Sequence, residues 1–262
     1  MAKPEKNIIR IPDPDVPIYR MVRLPHFWDM IRSRELVLVQ PERWEDPLED
    51  FPRRCGIVYD STPGRRHEYL GNMIDPIYAQ CWSTIGGSDL LWRAYSRVDK
   101  DGGIKNTCRD QEAVQVQTTA RKLLRALWDW SPRDRTISCF IGAVSYMSQE
   151  EVERHIGDLA GKYAGAICSG AERAELVLFK RSHFSYEAEI RLIYTYDRQQ
   201  GPIPDLVRVP VGLHKLVDKV VFDPRLEYFE VKDREAEARG LGYSGDFGEC
   251  KLYEELSWII TR

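Results

Sequence analysis

This chain has no apolar run near the roughly 20 residues that a membrane-crossing helix needs, so a helical span is excluded. Its first residues, Met1-Ala2-Lys3-Pro4-Glu5-Lys6, are charged and lack the apolar stretch of a secretory signal, so a cytoplasmic location is expected. The net charge is only −3, which gives no general drive toward nucleic acid or an anionic membrane, although a local basic groove stays open. The six cysteines (Cys55, Cys81, Cys108, Cys139, Cys168, Cys250) include no Cys-x-x-Cys pair and no neighbouring histidine ladder. The short ligand spacing of a zinc site is therefore missing, and no metal is expected. A disulfide scaffold does not suit a cytosolic chain of this size. Cys139-Phe140-Ile141 and Ala166-Ile167-Cys168 instead read as small core residues. Signatures of other enzyme classes are missing too. There is no Gly-x-x-x-x-Gly-Lys phosphate loop, no Gly-x-Gly-x-x-Gly opening a helix after a strand, and no Gly-x-Ser-x-Gly elbow. Internal repeats, low-complexity tracts and interdomain linkers are likewise absent.

What is present suits a soluble globular protein. The 262 residues are 43% apolar and 30% charged, enough to bury a full core. Residues 1–17, with Pro12, Pro14 and Pro17, are expected to form an extended arm, and 18–262 a single domain. Periodicity predicts helices over Leu24–Arg34 with Pro25 in the first turn, over Asp89–Ser96 behind Ser88, and from Thr119 to Trp130 through Leu123, Leu124, Leu127 and Trp128. Ser148-Gln149-Glu150-Glu151 is a capping box that opens a further helix, and 227–239 is a charged amphipathic one. Strands are expected at 35–39, 78–83, 103–108, 114–116, 137–146, 185–196, 207–209 and 219–222, with turns at Asp46-Pro47 and Pro63-Gly64. Irregular interleaving of the two element types predicts an α+β fold, a mixed, largely antiparallel sheet with flanking helices.

Three polar clusters stand out: Ile18-Tyr19-Arg20, Gln80-Cys81-Trp82-Ser83-Thr84, and Phe184-Ser185-Tyr186-Glu187-Ala188-Glu189-Ile190-Arg191. Read as a strand, the third puts Tyr186, Ala188 and Ile190 on one face and Glu187, Glu189 and Arg191 on the other, with the carboxylates about 6.6 Å apart along it. Plainer readings exist for each. The acidic face could carry cross-strand ion pairs on an exposed sheet. Arg20 could pair with Asp46 or Glu49 at a surface for ~0–1 kcal/mol. Trp82, Trp92 and Tyr95 could be core aromatics. Lys180-Arg181 with Arg191 could form a small phosphate-binding patch. Of the five histidines only His183 lies near charged groups, where a surface loop position is the simpler account.

Tyr19-Arg20, Trp44-Glu45-Asp46-Pro47-Leu48-Glu49, Cys81-Trp82-Ser83, Leu91-Trp92-Arg93-Ala94-Tyr95-Ser96, Phe179-Lys180-Arg181, Phe184, Tyr186 to Arg191 and Phe222-Asp223-Pro224-Arg225 together resemble the markers of the domain of unknown function 2971 family, in order and over about residues 18–256. That family implies no reaction. The order Arg20, Ser83, Glu187-Ala188-Glu189 also resembles ADP-ribosyltransferases of the Arg-Ser-Glu class. This second resemblance implies that Arg20 holds the phosphates of NAD and that Ser83, with Thr84, supports the nicotinamide-ribose pocket. It further implies that Glu189 binds the ribose and stabilises the cation left when nicotinamide departs, and that Glu187 activates the acceptor. The long stretch between Ser83 and Glu187 makes the helices at 110–170 an insertion. The chemistry is suitable. A pyrophosphate favours a planar, permanently charged fork, and an oxocarbenium-like centre favours a fixed carboxylate. Trp82, Tyr95 or Phe184 would stack on the nicotinamide.

The expected function is transfer of ADP-ribose from NAD to a nucleic-acid or protein acceptor, as a toxin or phage-defence effector open to restraint by an inhibitory partner. The alternatives are a phosphate- or nucleotide-binding module without turnover and a nuclease-type hydrolase.

Overall fold

Side chains alternate across the strand Glu189–Thr195, the centre of the first of two units into which the chain divides. The computed structural model describes residues 4–54, 56–59, 66–69, 74–98, 100–101, 104–105, 108–132, 134–163 and 169–254. Cys55, Cys168 and the turn expected at Pro63-Gly64 lie outside them. The fold is mixed α+β with a largely antiparallel sheet.

The first unit gathers Met1–Pro17, Leu36–Thr84 and Thr119–Pro210. Glu189–Thr195 runs antiparallel between Cys139–Ala143 and Ile77–Ser83. The strand Ile8–Ile9 adds itself parallel to Ile141–Gly142, so part of the proline-rich start is paired backbone. Register decides the two faces. Ile190, Leu192 and Tyr194 stand beside Trp82, Gln80 and Tyr78 on one face, and Glu189, Arg191 and Ile193 stand beside Ser83, Cys81 and Ala79 on the other. Helix Ala120–Trp130 lies in the same unit, with Trp130 5.3 Å from Tyr194. Thr119 caps it, and Leu123, Leu124, Leu127 and Trp128 are buried as their spacing predicts. Each contributes roughly 1.5–3 kcal/mol by leaving water. The opposite face packs Ala79, Phe140 and Ile193 against Leu176, Val177, Leu178 and Phe179. Gly142 keeps that contact close, because a Cβ there would meet a Leu178 methyl at 2.5 Å.

The capping box at Ser148 is present: Ser148 Oγ accepts from the Glu151 N–H, and Glu151 Oε2 accepts from the Ser148 N–H. It opens Gln149–Tyr163. The strand expected from residue 185 begins only at Glu189. Ser182–Glu187 tightens into a 3-10 helix, and Ala188 takes a left-handed conformation with φ +43°. Glu187 and Glu189 are therefore not alternate residues of one strand. Nothing in the local sequence announces that turn, since glycine is absent from it.

The second unit gathers Ile18–Glu35, Ile85–Thr118 and Val211–Arg262. Its strands follow the order Pro17–Arg23, Ala113–Thr119, Lys219–Phe222, Asp246–Gly248. Phe27, Trp28, Phe222, Tyr243 and Phe247 form an aromatic core. Two motifs quoted above meet here. Arg225 pairs with the fully buried Asp223 and donates to the carbonyls of Trp92 and Ser96. Arg234 reaches back from helix Tyr228–Gly240 to grip both oxygens of buried Glu112 at 2.9 Å. These residues hold the unit together.

Candidate functional site

Ser83 ends its strand directly opposite Glu189 in the ladder. Direct cross-strand partners share a face, so two segments far apart in sequence present a hydroxyl and a carboxylate side by side. The Ser83 hydroxyl donates to the carbonyl oxygen of Glu187 at 2.6 Å, and the Thr84 N–H donates to that of Ala188 at 3.0 Å. Both bonds pin the turn before Glu189 to the neighbouring strand.

Glu189 is 8% exposed and Arg191 is fully buried, so the acidic face read as exposed sheet is interior. Burying a charge is tolerated only with partners, and these side chains have them. Arg191 donates from Nε to Glu189 Oε2 at 2.7 Å, from Nη1 to the Val177 carbonyl at 2.8 Å, and from Nη2 to Glu49. The Trp44 ring stacks on its guanidinium at 4.5 Å. Lys180 Nζ lies 2.6 Å from Glu187 Oε2, 2.9 Å from Glu189 Oε1 and 3.5 Å from Glu49 Oε1. The Phe184 ring sits 4.6 Å from the same ammonium. Glu189 also donates its backbone N–H to the Tyr146 hydroxyl at 2.8 Å. Beside the cluster, buried Asp46 pairs with Arg181 at 2.9 Å while capping the N–H of Leu48. Lys180 and Arg191 are thus both matched to carboxylates, which removes the phosphate-binding patch read from them.

Three carboxyls share two cations, so the cluster has an acid too many for full ionisation. Burial, then the hydrogen bond with Glu189, push Glu187 well above the usual carboxyl range against the pull of Lys180. Glu189 goes the other way: burial disfavours its charge, but Arg191, the bond from Glu187 and Lys180 outweigh it and hold the carboxyl far down. Burial raises Glu49 despite Arg191 and Lys180. Lys180 is disfavoured by burial as well, yet Glu189, Glu187 and Glu49 hold its ammonium above the ordinary lysine value. Burial pushes the Tyr146 phenol up to about 12. Glu189 is thus the carboxyl held ionised, and Glu187 the one more readily protonated. Among the described residues no group of three or more His, Cys, Asp or Glu could hold a metal ion.

Of the residues singled out from sequence, Ser83, Glu187, Glu189 and Phe184 come together, and exposed Thr84 borders them. Trp82 does not join them. It stands on the other face opposite Ile190, buried, with its indole N–H donated to Gln80, and so is a core aromatic. Arg20 and Tyr95 belong to the second unit, Arg20 half-buried on Pro17–Arg23 and Tyr95 exposed at the end of helix Asp89–Tyr95. His183 is exposed in the turn, and Cys139 is a core residue whose thiol burial pushes up. The sequence reading missed Lys180 and Glu49 as members of the site. The available signal was a lysine directly after Leu176-Val177-Leu178-Phe179, since a charge continuing an apolar run needs a buried partner. A cavity of about 310 Å³ in the same unit is lined by Gln40, Asp50, Ile77, Val177, Arg198 and Pro204 among others, but by neither Ser83 nor Glu189.

No family model matches the chain, which leaves the likeness to the domain of unknown function 2971 family without that support, and no curated protein matches it. Among solved structures, the chain is similar to DarT from Thermus sp. 2.9 in complex with ADP-ribosylated ssDNA, at 13% identity and a TM-score of 0.38, covering 93% of this chain and 98% of that one. DarT in complex with NAD+ and with carba-NAD+ gives 12% identity and a TM-score of 0.36, over 92% and 98%. Among the described residues no helix is long and apolar enough to cross a membrane.

Proposed function

We propose that this chain is an NAD-dependent ADP-ribosyltransferase whose reacting centre is built on Ser83 and Glu189, with Glu187 beside them. The observation that carries the reading is the register: Ser83 and Glu189 are direct cross-strand partners on one face. In the reaction the bond between the nicotinamide nitrogen and ribose C1′ breaks, and nicotinamide leaves with the electron pair. The ionised Glu189 carboxylate faces the cation that develops on the ribose, where a fixed charge in a dry site acts most strongly. A nucleophilic atom of a macromolecular acceptor, nucleic acid or protein, then bonds to C1′ and passes its proton to Glu187 as carboxylate. Phe184 offers an aromatic face for the nicotinamide. Arg20 is the guanidinium assigned to the pyrophosphate, and Thr84 and Tyr95 complete the assignment. The biological role such chemistry serves is that of a toxin or phage-defence effector.

A second reading has its own observation. Both Glu189 oxygens are already engaged, one by Lys180 and one by Arg191. A binding module whose ion cluster is structural would look the same. Incubation with NAD labelled in the nicotinamide separates the two. Release of label that disappears in Glu189→Gln supports transfer, whereas binding of NAD with no release in the wild type means a module. Degradation of nucleic acid that ignores NAD would point to a nuclease.

A further inference from the structure

Among the described residues the Lys180 ammonium is the one cation that touches both carboxyls of the pair, 2.6 Å from Glu187 and 2.9 Å from Glu189, with only 7% of its side chain exposed. Charged and titratable groups around it come from several elements, and helix Gln149–Tyr163 packs on its strand through His155 against Phe179. Glu49 comes from the 3-10 turn Pro47–Asp50, Arg191 from the central strand, and Phe184 and Tyr186 from the turn after Lys180. Tyr146 comes from strand Ser145–Met147, and Cys81 on Ile77–Ser83 acts on the neighbouring Arg191. Arg181, the next residue, is taken by Asp46. Arg191 bonds one oxygen of Glu189 and does not bond Glu187, so it draws the negative charge to Glu189. Lys180 faces the second oxygen of Glu189 and an oxygen of Glu187 at once, so its charge also favours ionised Glu187.

We propose that Lys180 is the positioning residue of this site: bridging the pair, it holds Glu187 beside Glu189 and makes Glu187 easier to ionise while Glu189 stays charged. The idea rests on the transferase reading and deepens it. Glu187 can take a proton from an acceptor only after losing its own, so turnover rises with pH as Glu187 ionises. A cation within about 4–6 Å lowers a carboxyl by roughly 1–3 pH units. Removing it therefore moves that rise to higher pH, and restoring a cation brings it back.

The test compares wild type, Lys180→Met and Lys180→Arg by two readouts: the pH profile of nicotinamide release, and carboxyl carbon titrations in protein carrying carbon-13 glutamate, assigned with Glu187→Gln. The Glu187 midpoint should climb by about 1–3 pH units in Lys180→Met and stay near wild type in Lys180→Arg. An unchanged midpoint in Lys180→Met overturns the proposal. Should Lys180→Met not fold, Lys180→Gln takes its place, and an unchanged Glu187 midpoint there overturns the proposal. A wild type that releases no nicotinamide sinks the transferase reading alone, because the titrations still report on Lys180.

Discussion

The Trp44 ring lies 4.5 Å from the Arg191 guanidinium, which Glu49 and Glu189 also hold through ion pairs. Arg191 is fully buried, so its loss strands two carboxylates in the interior. Arg191→Met is expected to cost about 3–5 kcal/mol, read as a lower urea midpoint at unchanged slope. Trp44→Ala should cost less, because the ion pairs survive it. Equal losses would mean that the pairs add nothing beyond packing.

Stability should depend on pH with opposite signs for the two acids. Glu189 is held below its ordinary 4.5, so its contribution is present above that pH and fades as pH falls through its lower folded value. Glu187 is held above 4.5, so its contribution is complete below that pH and fades as pH rises through its higher folded value. Thermal melts across pH should therefore show an alkaline decline that Glu187→Gln removes. A decline that persists in that variant assigns it to another group.

Ala188 sits at φ +43°, where a side chain costs about 1–2 kcal/mol. Glycine avoids that strain and loses about 0.5–1 kcal/mol through its freer unfolded chain. Ala188→Gly should then melt at or slightly above the wild-type temperature, and Ala188→Val clearly below it. A marked loss in Ala188→Gly would show that the methyl packs more than it strains.

Gly142 stands opposite Arg191 in the ladder, with Leu178 and Ile9 against its missing side chain. Gly142→Ala is expected to cost about 1–3 kcal/mol through overpacking, visible in denaturant unfolding. Pairing with Leu178→Ala should recover much of that loss, since the added methyl then escapes its tightest contact and meets only Ile9.

Much of this was readable from residue spacing. The leucines of Ala120–Trp130 recur at helical intervals, Ser148 and Glu151 form their box, and the charged run at 227–239 is the helix Tyr228–Gly240. These features depend on near neighbours along the chain. The meeting of Ser83 with Glu189 followed from motif order alone, because register between distant strands leaves no local trace. The burial of Glu189 and Arg191 was not legible, since alternating charges look alike on a wet strand and beneath Trp44 and Phe184. The late start of the strand went unseen because a left-handed alanine breaks the usual preference for glycine at such a place.

Lys180, Glu187, Glu189 and Arg191 lie within a short span of chain, whereas Glu49 is separated from Arg191 by 142 positions. The first four can find one another as soon as their segment orders. Glu49 must be carried in by the closure of a very long loop, whose entropy is recovered only on arrival. During folding, the buried guanidinium therefore waits half-satisfied for its last acid, and an amide-exchange experiment should find the segment around Glu49 opening before the strand it completes.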